Sequence, residues 1–342
     1  MQLENHTIYF DITQCCNIGC DFCMYANRHS SKNLILNNQA RKNIARIFQS
    51  NGIKKVSISG EGEPLNNINT FKEILSLSPG GIHFEFITSG AIPHHKLLAL
   101  YDDLADIMSG NHDRCNIRLS SDSFHLSHIP HKPHGVSLRY FLERRPLNLS
   151  LSFRSIDIDK TFTRNFLCNE LLRLGFDANI SELNILDDKL VVDNDHFLIA
   201  YKNLVHPCVA PGTKYMTLEE YLEALEQKYQ RPFTFGSLNP WPNANGMDIT
   251  IKPDGTIIFY GIDSIPLANL FTDCVDLNFF QQIVEHNKLI HKLYTVPLRE
   301  IIMRLAKEKK NAEIIQRANN PYWILSGLAS YNEKLLWEAL QA

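Results

Sequence analysis

The 342-residue chain lacks any apolar run long enough to cross a bilayer, which takes about 20 residues of helix. Its opening stretch, MQLENHTIYFDIT, has no basic cluster leading into an apolar core, so no secretory signal is read there. Both absences predict a cytoplasmic protein without a membrane partner. Basic charge is not in excess either. The chain has 34 Lys and Arg against 37 Asp and Glu, a net charge of −3, and so lacks the basic balance of a nucleic-acid enzyme. Nucleic acid is therefore disfavoured as a substrate. Internal repeats and low-complexity tracts are absent as well. With these classes set aside, 44% apolar and 21% charged residues describe an ordinary globular chain. Its eight cysteines then read as ligands or buried thiols, since cytoplasmic chains rarely carry disulfides.

What is present is an alternation of short apolar runs and helical patterns. The runs centre on residues 7–13, 56–59, 82–88, 116–121, 147–153 and 176–181. Helical patterns lie between them at 38–49, 70–77, 95–108, 138–144 and 161–173. Strand-then-helix order implies parallel strands joined by right-handed crossovers. Several strands alternate polar and apolar residues, as in Asn116, Arg118, Ser120 and Asp122 against Ile117 and Leu119. Period two places these sets on opposite faces, and a polar face between helices must meet water, a ligand or itself. The expected fold is α/β, a partial (β/α)6 TIM-like barrel whose polar face walls an open lumen. It is expected over residues 1–205, with a smaller C-terminal region, 206–342, of a β-hairpin plus helices. The hairpin is read from residues 247–251 and 256–260 around Pro253-Asp254-Gly255. Helices are expected around 218–228 and from 276 onward.

Residues 13–24, TQCCNIGCDFCM, carry Cys16-x3-Cys20-x2-Cys23 directly after the first strand. Three thiolates in one loop suit a soft metal centre. On a four-iron cluster they would leave one iron without a protein ligand, open to a substrate or cofactor. A structural zinc site using these cysteines and His29 and a chance cluster of buried thiols are the alternatives, and Cys15 is read as a bystander. One strand–helix unit later, residues 56–65 read VSISGEGEPL. Glycines at a strand end let the backbone approach a ligand closely.

The spacing and placement of the cysteines resemble the radical S-adenosylmethionine (SAM) superfamily, whose motif is C-x3-C-x2-C. The resemblance implies one 4Fe–4S cluster on Cys16, Cys20 and Cys23, with Phe22 against the adenine of SAM. Gly62, Glu63 and Pro64, with Gly60 before them, are similar to the family's GGEP motif, which binds the SAM amino group; Glu61 replaces the first glycine of that motif. Ser89, in Thr88-Ser89-Gly90, occupies the place of the family's T-N-G. Ser120 and Asp122 would meet the SAM ribose or carboxylate, and Arg154 could pair with the carboxylate, with an ion pair at the rim as the alternative. The chemistry implied is reductive cleavage of SAM by one electron from a ferredoxin- or flavodoxin-type donor. A 5′-deoxyadenosyl radical then abstracts hydrogen from the substrate.

IKPDGTIIFY at 251–260 looks like the start of a SPASM-type appendage, but Tyr260 stands where a cysteine would. Only Cys208 and Cys274 follow residue 200, so a second cluster is not expected. Cys208 is the candidate hydrogen donor, with an incidental thiol as the alternative. His125, His128, His131 and His134 recur every third residue, but Pro130 and Pro133 argue against one helical face. A substrate-facing or solvated loop is expected there, with a second metal site as the alternative. The polar lumen points to a small-molecule substrate such as a sugar, nucleoside or amino-acid derivative. A ribosomal peptide is the alternative substrate, and a non-catalytic zinc or Fe–S protein is the alternative from another class.

Overall fold

A computed structural model describes residues 4–20, 23, 32–203, 216–234, 246–260, 262, 265–317, 324 and 338. In chain order, β1 (His6–Asp11) is followed by α1 (Asn38–Gln49), β2 (Ile53–Ser59), α2 (Ile68–Ser76) and β3 (His83–Thr88). Next come α3 (His94–Asn111), β4 (Arg114–Ser120), α4 (Ser123–His128), α5 (His134–Arg144), β5 (Leu149–Ile156) and α6 (Lys160–Arg173). Three strands follow: β6 (Ala178–Asn184), β7 (Asp187–Val192) and β8 (Asp195–Lys202). The remainder comprises α7 (Leu218–Tyr229), β9 (Asp248–Ile251), β10 (Thr256–Phe259), β11 (Ala268–Asn269), α8 (Leu277–His286), α9 (Lys288–Thr295), α10 (Leu298–Leu305) and α11 (Lys309–Arg317). Among the described residues, no helix is long and apolar enough to cross a membrane.

The chain divides into two compact units. One holds Phe10–Ile35 and Val56–Lys214; the other holds Met1–Tyr9, Leu36–Lys55 and Tyr215–Ala342. In the first unit, β2, β3, β4, β5 and β8 pair in parallel, and the end of β1 borders β2. The register sets Ser57, Glu85, Asn116 and Ser150 in one row across the strands. On the opposite face Val56, Ile58, Phe84, Phe86, Ile117, Leu119 and Phe153 are buried, and Phe71 of α2 stacks on Phe86 with ring centres 4.5 Å apart. The expected α/β partial barrel with two unlike sheet faces is therefore present.

Part of the polar face satisfies itself. Arg118 Nη1 lies 3.1 Å from Glu85 Oε2, to which Ser57 Oγ also donates at 3.2 Å. Asn116 donates to Ser152 Oγ at 2.8 Å and accepts from Ser150 Oγ at 3.1 Å. Paired in this way, these groups avoid most of the cost of burying polar atoms.

The strand order corrects the sixth run. Residues 176–181 do not form a parallel strand. β6 pairs antiparallel with β7, and β7 antiparallel with β8; β8 lies parallel to β5. Asp193, at φ 52°, makes the β7–β8 turn. This hairpin is locked by buried Asp188, which accepts from Arg164 Nε at 2.7 Å, Arg164 Nη2 at 2.6 Å and the Tyr201 hydroxyl at 2.6 Å. Strand direction is set by these long-range pairings, which the local apolar pattern does not carry.

In the second unit, β9 and β10 form the expected antiparallel hairpin, and β11 extends it. α1 belongs here because its buried Asn43 caps a turn from the C-terminal segment. Its Nδ2 donates to the carbonyls of Leu270 and Asp273, each at 2.8 Å, and its Oδ1 accepts from Val275 N at 3.2 Å. His6, in β1, is buried and accepts from Met247 N at 3.1 Å. Burial lowers the His6 pKa to about 4.

Candidate active site

The cysteine loop leaves and returns to the sheet through a clamp. Thr13 and Asn33 form a bridge, with Thr13 Oγ1 donating to Asn33 Oδ1 at 2.5 Å, and Gln14 N donates to Lys32 O at 2.8 Å. Inside the loop Cys16 is exposed, Cys20 is buried and Cys23 is half-buried. Cys23 N donates to Cys20 O at 3.1 Å, so the last two cysteines share a turn. Gly19, at φ 75°, supplies the left-handed residue just before Cys20. Among the described residues, no three His, Cys, Asp or Glu side chains converge on one point as a single metal ion needs. A four-iron cluster makes a different demand, because each iron takes its own thiolate.

The loop and the Gly-Glu-Pro turn are bonded backbone to backbone. Gly62 N donates to Thr13 O at 3.0 Å, and Glu63 N to Cys15 O at 2.9 Å. Asn66 Nδ2 donates to the same Cys15 carbonyl at 2.9 Å. The fit is close enough that a Cβ on Gly62 would stand 2.2 Å from Cys15 O, and one on Gly60 2.6 Å from Thr13 O. Glu61, the residue that departs from the family pattern, is buried and accepts from Gln14 Nε2 at 2.8 Å. The departure thus adds a side-chain clamp to the cysteine loop.

Glu63 ties this turn to the end of β3. Its carboxylate is buried and accepts from Thr88 Oγ1, from Ser89 Oγ, from Ser89 N at 2.9 Å and from Leu65 N at 3.2 Å. Pro64 opens the short helical turn that follows. All of these donors are neutral, and no cationic side chain among the described residues forms an ion pair with Glu63. A buried carboxylate without a counter-ion is costly and suits a ligand bearing an ammonium group.

At the end of β4, Ser120 stands opposite Arg154 in the register, and Arg154 O accepts from Ser121 N at 2.7 Å. Asp122 caps α4, accepting from His125 N at 2.9 Å, and also holds His125 Nδ1 at 2.8 and 2.9 Å. Burial, the largest influence, lowers the His125 pKa, but the bonds and charge of Asp122, together with the influence of Cys20, outweigh it and push the value up to about 10.

The histidine repeat is a solvated loop only in part, for His128 and His131 are exposed and His131 lies between two helices. His125 and His128 lie in α4, and His134 opens α5 completely buried. His134 Nε2 meets Ser121 Oγ at 3.0 Å and Ser120 O at 3.1 Å, and the ring packs against Phe153 and Phe166. Burial lowers its pKa to about 3. The helices stop and restart around Pro130 and Pro133, so the prolines mark helix boundaries and do not abolish the helices.

The ends of β2 to β5 carry Gly60, Gly62, Glu63, Pro64, Ser89, Ser120, Asp122 and Arg154, and the loop that holds Cys16, Cys20 and Cys23 follows β1. Phe22 and Cys208 lie outside the described residues. Sequence reasoning missed three contributors: the Cys15 carbonyl, Asn66 and the Thr13–Asn33 clamp. Only the polar residues flanking each motif hinted at them.

A parallel α/β sheet with a three-cysteine loop and a buried carboxylate at its strand ends defines an enzyme site for a cluster and a charged ligand. Residues 10–126 match the model of the radical SAM superfamily, and a domain of that kind is an enzyme domain whose cofactors are a 4Fe–4S cluster and S-adenosylmethionine. No curated protein matches the chain. Among solved structures it is similar to native anSMEcpe with bound AdoMet and Cp18Cys peptide. That match has a TM-score of 0.50 and 12% identity and covers 97% of this chain and 98% of that one. Native anSMEcpe with bound AdoMet matches with a TM-score of 0.51 and 13% identity, over 97% of this chain and 96% of that one. At such identities the likeness is one of fold.

Proposed function

We propose that Cys16, Cys20 and Cys23 hold the cluster and that the turn Gly62-Glu63-Pro64, with Ser89, Ser120, Asp122 and Arg154, holds SAM. When bound, the two cofactors supply an electron and a carbon radical that takes a hydrogen atom from the substrate. The chain's own residues do the positioning. Thr13, Gln14 and Asn33 fix the ends of the cysteine loop. Gly60 and Gly62 let the neighbouring turn lie directly on that loop. Glu63 receives the SAM ammonium, held in place by the hydroxyls of Thr88 and Ser89. A ferredoxin- or flavodoxin-type protein donates the electron.

One observation carries this reading. Glu63 is a buried carboxylate without a cationic partner among the described residues, one residue from a glycine in contact with the cysteine-loop backbone. The test is anaerobic reconstitution followed by incubation with SAM and dithionite. Formation of 5′-deoxyadenosine is expected. It should be lost when Cys16, Cys20 and Cys23 are replaced by Ala. With Glu63→Gln, SAM binding should weaken about 10- to 100-fold, the worth of a charged hydrogen bond. A colourless protein holding stoichiometric zinc would refute the reading.

The substrate is proposed to be a polar small molecule lying along the polar sheet face, where Asp11, Ser59, Arg118, Ser152 and Arg154 stand. A peptide substrate is the second reading, favoured by end-to-end similarity to a structure that holds a peptide. Deuterium transfer into 5′-deoxyadenosine from labelled small metabolites, or from labelled peptides, separates the two.

A further inference from the structure

Ser121, the residue just past β4, is held through its N–H, its carbonyl and its hydroxyl. Its N donates to Arg154 O at 2.7 Å, and its carbonyl accepts from Thr163 Oγ1 of α6 at 3.0 Å. Its hydroxyl donates to Leu119 O at 3.2 Å. With that proton committed, the hydroxyl accepts from His134 Nε2, 3.0 Å away on α5. Ser120 O lies 3.1 Å from the same nitrogen and, as a carbonyl, can only accept. The imidazole is therefore the neutral tautomer with its proton on Nε2, shared between two acceptors. Its Nδ1 is buried with no hydrogen-bond partner among the described residues, as a neutral ring permits, and burial lowers the pKa to about 3. Phe153 and Phe166 flank the ring at 5.9 and 4.9 Å between centres, and the residue is fully buried, so solvent does not compete for its N–H.

We infer that His134 is a positioning residue for SAM: its one N–H, shared by Ser120 O and Ser121 Oγ, fixes from behind the strand end that carries Ser120 and Asp122 and that Ser121 N ties to Arg154. The inference rests on the proposed role of Ser120, Asp122 and Arg154 in holding SAM. Period two turns Leu119 and Ser121 toward the helices and Ser120 toward the polar face. His134 therefore acts on the side of the strand that the ligand does not touch. A ligand contact is placed only as well as the backbone behind it, and a misplacement of about 1 Å can cost 10²-fold in function. The next residue is held as well, since Ser123 N and Oγ both donate to Asp159 Oδ2 at 2.6 Å.

The experiment measures SAM dissociation constants by equilibrium titration of the full, cluster-loaded chain as wild type, His134→Gln, His134→Met, Ser121→Ala, Ser137→Ala and Arg154→Met. Gln keeps an N–H of similar reach, whereas Met keeps bulk without a donor. Gln should bind SAM nearly as wild type does, and Met and Ser121→Ala about tenfold more weakly, the worth of one hydrogen bond. Should the Met variant fail to fold, Ser121→Ala gives the same comparison. Ser137→Ala is the control for lost stability. It breaks the buried 2.9 Å contact between Ser137 of α5 and Tyr101, so its thermal midpoint should fall while its SAM affinity stays at the wild-type value. Wild-type affinity in both Met and Ser121→Ala would overturn the inference, as would equal losses in Gln and Met or a loss in Ser137→Ala as large as that in Met. Arg154→Met separates the two readings. If it weakens SAM binding while the His134 variants do not, this inference alone fails; if it binds SAM as wild type does, the proposed SAM site fails with it.

Discussion

At the scale of single residues, the site depends on contacts that admit no extra atom. Gly62 is the sharpest case, because a Cβ there would stand 2.2 Å from Cys15 O and 2.6 Å from Cys15 C. Both neighbours are backbone, so neither can rotate away. Gly62→Ala should part the Glu63 N to Cys15 O bond and weaken SAM binding at least tenfold, about 1.4 kcal/mol, in equilibrium titration of the cluster-loaded protein. Wild-type affinity in that variant would contradict the account. The motif's glycines were legible as candidates; the identity of the atom each one touches was not, since it comes from the cysteine loop that follows β1.

Two buried histidines make stability depend on pH. His6 and His134 have pKa values lowered to about 4 and about 3, in both cases chiefly by burial. Around His134, Asp122 works against that lowering, while Lys132 and His125 add to it. An unfolded histidine takes up a proton near pH 6.5, whereas these two stay neutral when folded, so stability is fullest above that pH and falls as pH drops toward the folded values. From pH 6 to pH 5 each should cost about 1 kcal/mol. His125, raised to about 10, is charged when folded and nearly so when unfolded across that interval, and contributes little. Urea midpoints measured at pH 6 and pH 5 should differ in that sense; equal midpoints would contradict it.

At the scale of elements, the parallel strands and their helices were legible because burial imposes its own period. α1 is visible at residues 38–49 from apolar spacing alone and is observed over Asn38–Gln49. The alternation on β4 and β5 likewise gives the two faces seen in the register. The β6–β8 meander was not legible as such. Its decisive interactions join Asp188 to Arg164 and Tyr201, residues distant in sequence, and its turn residue Asp193 looks like an ordinary polar loop. The tie between α1 and the 270–275 segment was equally hidden, since Asn43 bonds residues more than two hundred positions away. Asn43→Ala leaves two carbonyls and an amide without that partner and should cost about 2–3 kcal/mol. Thermal unfolding should show a lower midpoint; an unchanged one would mean water replaces the asparagine fully.

At the scale of the whole molecule, cysteine spacing, glycine turn and strand order agree on one chemistry, and the superfamily match over residues 10–126 supports it. What the substrate is was not written in the local pattern. A polar sheet face binds many things, and part of this one is already occupied by its own Glu85–Arg118 and Asn116–Ser152 pairs. The central claim is narrower: three thiolates leave one iron open beside Glu63, and SAM docks there. Its most direct test is the electron paramagnetic resonance spectrum of the reduced, reconstituted chain before and after SAM is added. The account predicts that SAM changes the cluster signal in wild type and changes it far less at the same concentration in Glu63→Gln. A wild-type signal that SAM leaves untouched would contradict it.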